Sequence, residues 1–453
     1  MEKKYMEVLL AQIREKRAKE CIRQEIEGHI HDQKECYIAD GLSSDEAEQK
    51  AVTDMGDPVE TGIALNRIHQ PRPAWGMLAV IAVLCAAGIL LQYAVYQTNP
   101  SADMNTYFLK NQCLHSILGF FVLCIVYLVD YTRIAAYSRH MCTGILLLFF
   151  MLAMDSQTAF DLPLPVSYLQ HTSTVIFLGN WWISIHFFFY LYLPLYGAVL
   201  YERSRRKKWR LIWYTLLPIY FAFRLAHLSV MINVTVIMLL LLGTAAAKGW
   251  LTAYTGKKIS LKKRCLIFTA VSAVLALCAL FFANLNSYQH FRIQAWFRPE
   301  LSSAGYVDHL VRDIIRTSQL TGKNTGQSMT GFPLEFETDY LLTYLIGTFG
   351  ILAGVVLILF LTLLGARLLH ISLRQKNQPG MIMGLGCSLV FLIQAAEYIL
   401  VNLSLLPVSG LYFPLISYGG SGMLQTCILL GILLSIYRYE NIVSHTGLYY
   451  RAD

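Results

Sequence analysis

From Ala74 to the neighbourhood of Tyr437, apolar runs about 20 residues long follow one another with polar breaks between them. No other feature restricts the fold so strongly. A run of that length matches the hydrocarbon thickness of a bilayer, where a helix satisfies its own backbone polar groups. The runs predict spans near 74–97, 112–131, 139–155, 182–201, 211–226, 228–247, 265–284, 340–366, 381–403 and 417–437. The expected fold class is all-α: a polytopic membrane protein with ten transmembrane helices and a small N-terminal cytosolic helical module. Composition points the same way. Of 453 residues, 55% are hydrophobic and only 15% charged, where a soluble domain carries about a quarter charged residues.

The charges divide the chain. Residues 1–73 hold 11 Lys/Arg and 15 Asp/Glu, and residues 74–453 hold 26 and 14. All the net positive charge therefore lies in the apolar part, in loops between runs, which argues against a nucleic-acid partner. With both termini taken as cytoplasmic, the inner loops and tail hold 19 Lys/Arg and the outer loops 7. That is the bias of a chain whose positive loops stay inside. The expected domains are a cytosolic helical prefix over 1–73, a ten-span membrane domain over 74–440 and a cytosolic tail over 441–453. The charged start, Met1 to Leu10, gives no signal-peptide pattern. The 10 cysteines are scattered without any C-x-x-C, so neither a zinc site nor a disulfide framework is expected.

In the prefix, Ile22, Ile26, Ile30 and Tyr37 recur at helical spacing, and Gly41 suits the residue just past a helix end. Ser43-Ser44-Asp45-Glu46 is a capping-box pattern for a second helix, which Gly56 closes. Asp57-Pro58 supplies an N-cap and a first-turn proline for a third, with Ala64 and Ile68 expected on its packed face. His29 and His31 do not share a helix face and read as solvated surface. With its helix, G-L-S, helix, G-D-P order, this segment resembles the permease prefix domain of bacterial membrane proteins, which implies a cytosolic contact module.

Two outer segments stand out. The loop 285–338 is long, polar and rich in Gly and Pro, and it runs into Glu335, Glu337 and Asp339. Unstructured stretches of that length are usually functional. The second segment runs from Leu406 to Pro414 and leads to Ser417-Tyr418-Gly419-Gly420-Ser421 at the mouth of the last span. Small and polar residues at one membrane depth predict an outward-facing cavity.

At these residues the chain resembles the SEDS family (shape, elongation, division and sporulation) of the FtsW/RodA/SpoVE type. L-L-P-V-S-G-L-Y-F-P-L-I-S-Y-G-G-S-G, 405–422, matches the family's L-L-P-x-x-G and P-x-x-S-Y-G-G-S. F-P-L-E-F-E-T-D-Y, 332–340, matches L-P-E-x-x-T-D-F. Gln394-Ala395, Lys110–Gln112 and Asp130-Tyr131 add weaker matches, and the resemblance covers nearly all of 74–440. The chain also departs from the pattern. Gly179–His186 stands where the family carries Q-P-S-E-x-x-K, the family's Q-P-D/E is absent near Arg224–His227, Gly347-Thr348 replaces E-E, and Tyr398 replaces an intramembrane Asn.

The resemblance implies a peptidoglycan glycosyltransferase. It would polymerise lipid II, an undecaprenyl-pyrophosphate-linked precursor, beside a class B penicillin-binding transpeptidase, at the outer face of the bacterial cytoplasmic membrane. It places the essential aspartate on Asp339, as the general base that takes the acceptor hydroxyl proton. The donor carries its own leaving group, so a second carboxylate acting as acid is not needed. Position alone also allows Asp339 to be the N-cap of the eighth helix. For the pyrophosphate, the candidates are Arg292, Arg298 and Lys323, with Arg312 and Arg316 as further outer-loop cations. Ser417, Gly419, Gly420 and Ser421 are candidate hydroxyl and backbone donors, or else a tight turn built for close packing. Glu397, a carboxylate within the ninth span, is a candidate cavity residue. No cofactor is identified, and a divalent cation is left open. Two alternatives stay open beside the polymerase: a lipid-linked precursor transporter (flippase), and a catalytically weak scaffold that recruits a cell-wall synthase. The absence of Walker and G-x-S-x-G patterns argues against ATP hydrolysis and acyl-enzyme chemistry.

Overall fold

The structure is a computed structural model describing residues 1–98, 103–155, 175–178, 181–204, 209–225, 228–250, 296–297, 306–324, 336–407 and 412–440. The expected span at 265–284 and the tail 441–453 lie outside the described residues. The chain forms two compact units.

The first unit comprises Met1–Ala74, Gln375–Asn377 and the described residues from Ile436 onward. It holds α1 (Glu2–Ala11), α2 (Lys16–Ala39), α3 (Ser44–Asp54) and α4 (Pro58–Ile68). Ile22, Ile26 and Ile30 line one stripe of α2 and are buried with Leu9, Leu10 and Ile13. The Ser43 side chain accepts from the Glu46 amide while the Glu46 carboxylate accepts from the Ser43 amide, a complete capping box. Asp57 accepts from the Val59 amide ahead of Pro58. Gly41 and Gly56 both have positive φ, as a chain leaving a helix through the left-handed region requires. The packed face of α4 differs from expectation. Ala64 and Ile68 are exposed, and Gly62 is buried instead. The cause is α1, whose apolar residues were hidden in a charged stretch. A β-carbon on Gly62 would lie 2.7 Å from the Leu9 carbonyl, so α4 meets α1 on its glycine side.

The second unit comprises Trp75–Arg374 and Gln378–Ser435. In chain order it contains α5 (Trp75–Thr98), α6 (Asp103–Leu128), α7 (Tyr131–Asp155), β1 (Val175–Leu178), β2 (Trp181–Ser184), α8 (His186–Ser204), α9 (Trp209–Leu225) and α10 (Leu228–Ala247). Then come α11 (Tyr306–Thr317), α12 (Leu341–Phe349), α13 (Ile351–Arg374), α14 (Gln378–Asn402) and α15 (Gly420–Arg438), which runs on into the first unit. Among the described residues seven helices are long and apolar enough to cross a membrane, and Leu211–Leu225 is a shorter apolar helix. The protein is therefore a multi-pass, helical membrane protein.

Three local features depart from the sequence reading. Val175–Leu178 and Trp181–Ser184 pair antiparallel, Val175 opposite Ser184, so the fourth run opens with a short hairpin and its helix starts at His186. The stretch read as one long loop contains a helix, α11, whose Leu310, Val311 and Ile314 are buried. The eighth run is broken: α12 ends at Gly350, with φ +99°, and α13 begins at Ile351. The break has a partner. Residues 319–324 lie against it, the Gly322 and Asn324 amides donating to the carbonyls of Phe349 and Gly347, and the Ile351 and Leu352 amides donating to those of Gln319 and Leu320. Orphaned groups at the end of one helix and the start of the next are thereby satisfied.

Candidate active site

Asp339 sits on a turn, 336–340, just before α12. The N-cap of α12 is Tyr340, which makes no side-chain capping bond, so Asp339 is not the N-cap. Phe336 and Tyr340 are buried and Asp339 is half-buried between them. Other elements hold the turn by its backbone. Gln92 on α5 donates to the Glu337 carbonyl at 2.6 Å, and the Tyr418 amide donates to the same oxygen at 3.0 Å. Tyr398 donates to the Thr338 carbonyl at 3.0 Å, and Asn402 to the Asp339 carbonyl at 2.8 Å. Three successive carbonyls are thus taken by α5, α14 and the segment 412–419. Each such bond contributes about 0.5–1.5 kcal/mol net.

The 412–419 segment is itself packed tightly. Phe413 stacks on Tyr398 with centroids 4.1 Å apart and an interplanar angle of 6°. Ser417 is fully buried, and its hydroxyl accepts from the Phe413 amide at 2.8 Å. That hydroxyl is engaged in shaping the segment. The glycines admit two rings. β-Carbons on Gly419 and Gly422 would lie 2.8 and 2.4 Å from Tyr412, and one on Gly420 would lie 2.8 Å from His115 Nε2. His115 and Tyr418 are themselves 5.7 Å apart between ring centroids. Ser421 is half-buried in the first turn of α15.

The structure therefore brings Asp339 and the S-Y-G-G-S segment together, joined through Glu337 and Tyr418. The candidate cations are placed otherwise. Arg292, Arg298 and Glu335 lie outside the described residues. Lys323 is exposed in the loop that covers the α12–α13 break. Arg312 is committed to structure: its Nε donates to Ser404 Oγ at 2.9 Å and its Nη2 to the Trp296 carbonyl at 3.2 Å. Arg316 is exposed at the end of α11.

Glu397 is half-buried and accepts from Asn233 Nδ2 on α10, which also donates to the Tyr190 hydroxyl at 3.2 Å on α8. One turn earlier on α14, Gln394 accepts from Gln425 of α15 at 3.1 Å. These polar groups lie within the helical bundle, where charged and amide side chains find partners on neighbouring helices. Sequence reasoning passed over Asn233, Tyr190 and Asn402. The available signal was an amide inside an apolar run, which is costly without a partner. Among the described residues no group of three or more His, Cys, Asp or Glu is arranged to hold a metal ion.

The FtsW/RodA/SpoVE family model, described as "Cell cycle protein", matches residues 74–442. A probable peptidoglycan glycosyltransferase FtsW of Enterococcus hirae is 29% identical over 211 residues, 44% of this chain and 52% of that protein. The peptidoglycan glycosyltransferase MrdB of Escherichia coli K12 is 30% identical over 174 residues, 36% of this chain and 46% of that protein. The chain thus spans about half the length of these curated relatives. In fold it is similar to a solved chain of a peptidoglycan synthase complex that coordinates polymerization and crosslinking. The TM-score is 0.61 at 20% identity, covering 80% of this chain and 97% of that one.

Proposed function

The chain belongs to the FtsW/RodA/SpoVE family of cell cycle proteins, and from that premise we propose that it is a peptidoglycan glycosyltransferase that polymerises lipid II. The observation that carries the reading is the junction of the Asp339 turn with the S-Y-G-G-S segment, fixed by the bonds to the Glu337, Thr338 and Asp339 carbonyls. In the proposed step, the acceptor sugar 4-hydroxyl attacks the donor anomeric carbon. A C–O bond forms there as the bond to the lipid pyrophosphate breaks. Asp339 takes the hydroxyl proton, and the pyrophosphate leaves with the electron pair. One direct displacement inverts the anomeric centre. Gly419, Gly420 and Ser421, at the start of α15, are the proposed backbone and hydroxyl donors to the pyrophosphate. Arg292, Arg298 and Lys323 are its proposed cationic contacts. A divalent cation requirement would show as loss of polymerisation when a chelator is added to the protein and lipid II.

The positive-inside bias supports placing the site at the outer face of the bacterial cytoplasmic membrane, with both termini cytoplasmic. The similarity to a chain of a synthase complex supports a class B penicillin-binding transpeptidase as partner. The Glu397–Asn233–Tyr190 cluster within the bundle favours a second reading, a lipid-linked precursor transporter.

The test is purified protein with lipid II, with and without a candidate transpeptidase, read as glycan chains on a gel. Loss of a general base costs about 10²–10⁴-fold in rate. Asp339→Asn is therefore expected to express and melt like the parent yet make almost no glycan, while Glu335→Gln retains much of its activity. An Asp339→Asn variant within a few-fold of an active parent sinks the base assignment. An inactive parent, even with its partner, favours the scaffold or transporter.

A further inference from the structure

We infer that Tyr398 and Asn402, one turn apart on α14, are positioning residues that set the height and direction of the Asp339 side chain; the inference rests on Asp339 being the base. The bonds come from both sides of that residue. The Tyr398 hydroxyl donates to the Thr338 carbonyl at 3.0 Å and accepts from the Leu341 amide at 3.0 Å. Asn402 Nδ2 donates to the Asp339 carbonyl at 2.8 Å, and its Oδ1 accepts from the Thr343 amide at 3.1 Å. Tyr398 thus bridges the backbone before Asp339 to the backbone after it, and Asn402 bridges the Asp339 carbonyl itself to the first turn of α12.

A residue ahead of a helix usually finds its orientation by capping that helix. Here Asn402, from another helix, occupies the amide of the third residue of α12, a position that a local cap would ordinarily serve. Both clamps are themselves tied into the surrounding packing. Tyr398 and Asn402 are fully buried. The Tyr398 ring is stacked on Phe413 of the segment that carries the S-Y-G-G-S residues. Asn402 Nδ2 is also anchored to the Tyr398 carbonyl at 3.1 Å. The clamp therefore references the Asp339 turn to the surface proposed to bind the pyrophosphate. It spans the distance between base and leaving group, the quantity that a direct displacement must hold fixed. A shift of about 1 Å in such a group can cost on the order of 10²-fold in rate.

The experiment is steady-state polymerisation of lipid II by the full chain carrying Tyr398→Phe, Asn402→Asp or Asn402→Leu, alone and combined with Asp339→Asn. Tyr398→Phe keeps the stacked ring and removes only the hydroxyl. Asn402→Asp keeps the acceptor for the Thr343 amide and removes the donor to Asp339. The expected result is a fall in kcat on the order of 10–100-fold per folded enzyme, with KM for lipid II within about two-fold. Added to Asp339→Asn, none of these changes lowers the residual rate further. A merely structural role would lower the melting temperature and the yield of folded protein but leave kcat per folded enzyme at the parent value. The inference is overturned if Tyr398→Phe and Asn402→Asp both turn over like an active parent while Asp339→Asn is dead. An active Asp339→Asn variant is a different pattern, and it overturns the base assignment together with the inference built on it.

Discussion

Gly422 has the ring of Tyr412 where a side chain would begin, with Tyr412 Cγ 2.4 Å from an ideal β-carbon. The Tyr412 ring, whose hydroxyl accepts from the Leu415 amide at 3.3 Å, cannot swing away as a lysine tip can. Gly422→Ala must move backbone or ring, and overpacking of this kind costs about 1–3 kcal/mol. A detergent-solubilised Gly422→Ala variant should therefore melt several degrees below the parent. Gly76→Ala is the control, because nothing lies within 4 Å of its β-carbon position and alanine favours a helix. Equal melting of the two variants would remove the packing role of the motif. The glycines were legible in the sequence as a motif, but their neighbours were not. Tyr412 lies in the same stretch, whereas His115 arrives from α6, and no local pattern announces that meeting. The same holds for Asp339. Its position before a helix was readable, and its backbone clamps were not, because they come from α5, α14 and Tyr418.

Helix boundaries divide in the same way, according to whether their cause is local. The cap of α3 is contained in four consecutive residues and could be read directly. Ser43→Ala removes it, at a cost of about 1 kcal/mol, and amide exchange over Ser44–Asp54 in the full chain should speed up accordingly. The capping bonds from Ser43 hold the Glu46 carboxylate below its ordinary pKa, and bonds from Lys34 and the N-terminus do the same for Glu48. A lowered folded pKa means stability that is present above the unfolded value and lost as pH falls through the folded one. Acidification below the ordinary carboxylate range should therefore loosen α3, and Ser43→Ala should blunt that response. A pH-independent exchange rate, corrected for intrinsic chemistry, would contradict it. The break between α12 and α13 has the opposite character. The sequence from 340 to 366 is continuously apolar, so one long span is the natural reading. Only the loop 319–324, which lies earlier in the chain, explains why Gly350 takes a positive φ. A β-carbon there would lie 2.7 Å from the Leu320 carbonyl. Gly350→Ala combines that clash with a left-handed backbone and should destabilise by more than about 1 kcal/mol, measured as a fall in melting temperature. The hairpin β1–β2 had a readable signal in its β-branched and aromatic residues around Gly179-Asn180. A longer apolar run outweighed it.

At the scale of the whole chain, the charge bias and the two compact units make separate claims. On the proposed orientation, with the 19-to-7 distribution of Lys/Arg behind it, Ser303 is expected outside and Ser204 inside. On a cysteine-free background, an impermeant thiol reagent applied to intact cells should label Ser303→Cys and miss Ser204→Cys, and the reverse pattern would move the proposed site to the wrong face. The division into units bears on the role of the first 70 residues. The groups that hold the Asp339 turn, Gln92, Tyr398, Asn402 and Tyr418, all belong to the second unit. The first unit has its own core, and it draws in the end of the last helix: Tyr439 packs on that core, and the Arg72 amide donates to the Arg438 carbonyl at 3.0 Å. Removing residues 1–70 therefore deletes most of one core and leaves the clamp around Asp339 in place. The expected outcome is a protein that still polymerises lipid II in vitro within a few-fold of the parent, and whose cellular placement or capture of a partner is altered. The bare deletion uncovers Tyr439, so a companion deletion carrying Tyr439→Ser separates exposed apolar surface from a true catalytic contribution. If both deletions fold, as judged by melting and monodisperse elution, and both are inactive, the first unit is part of the catalytic machine. If both are active and normally placed, the first unit has no recruiting role either, and the resemblance to a permease prefix carries no functional weight.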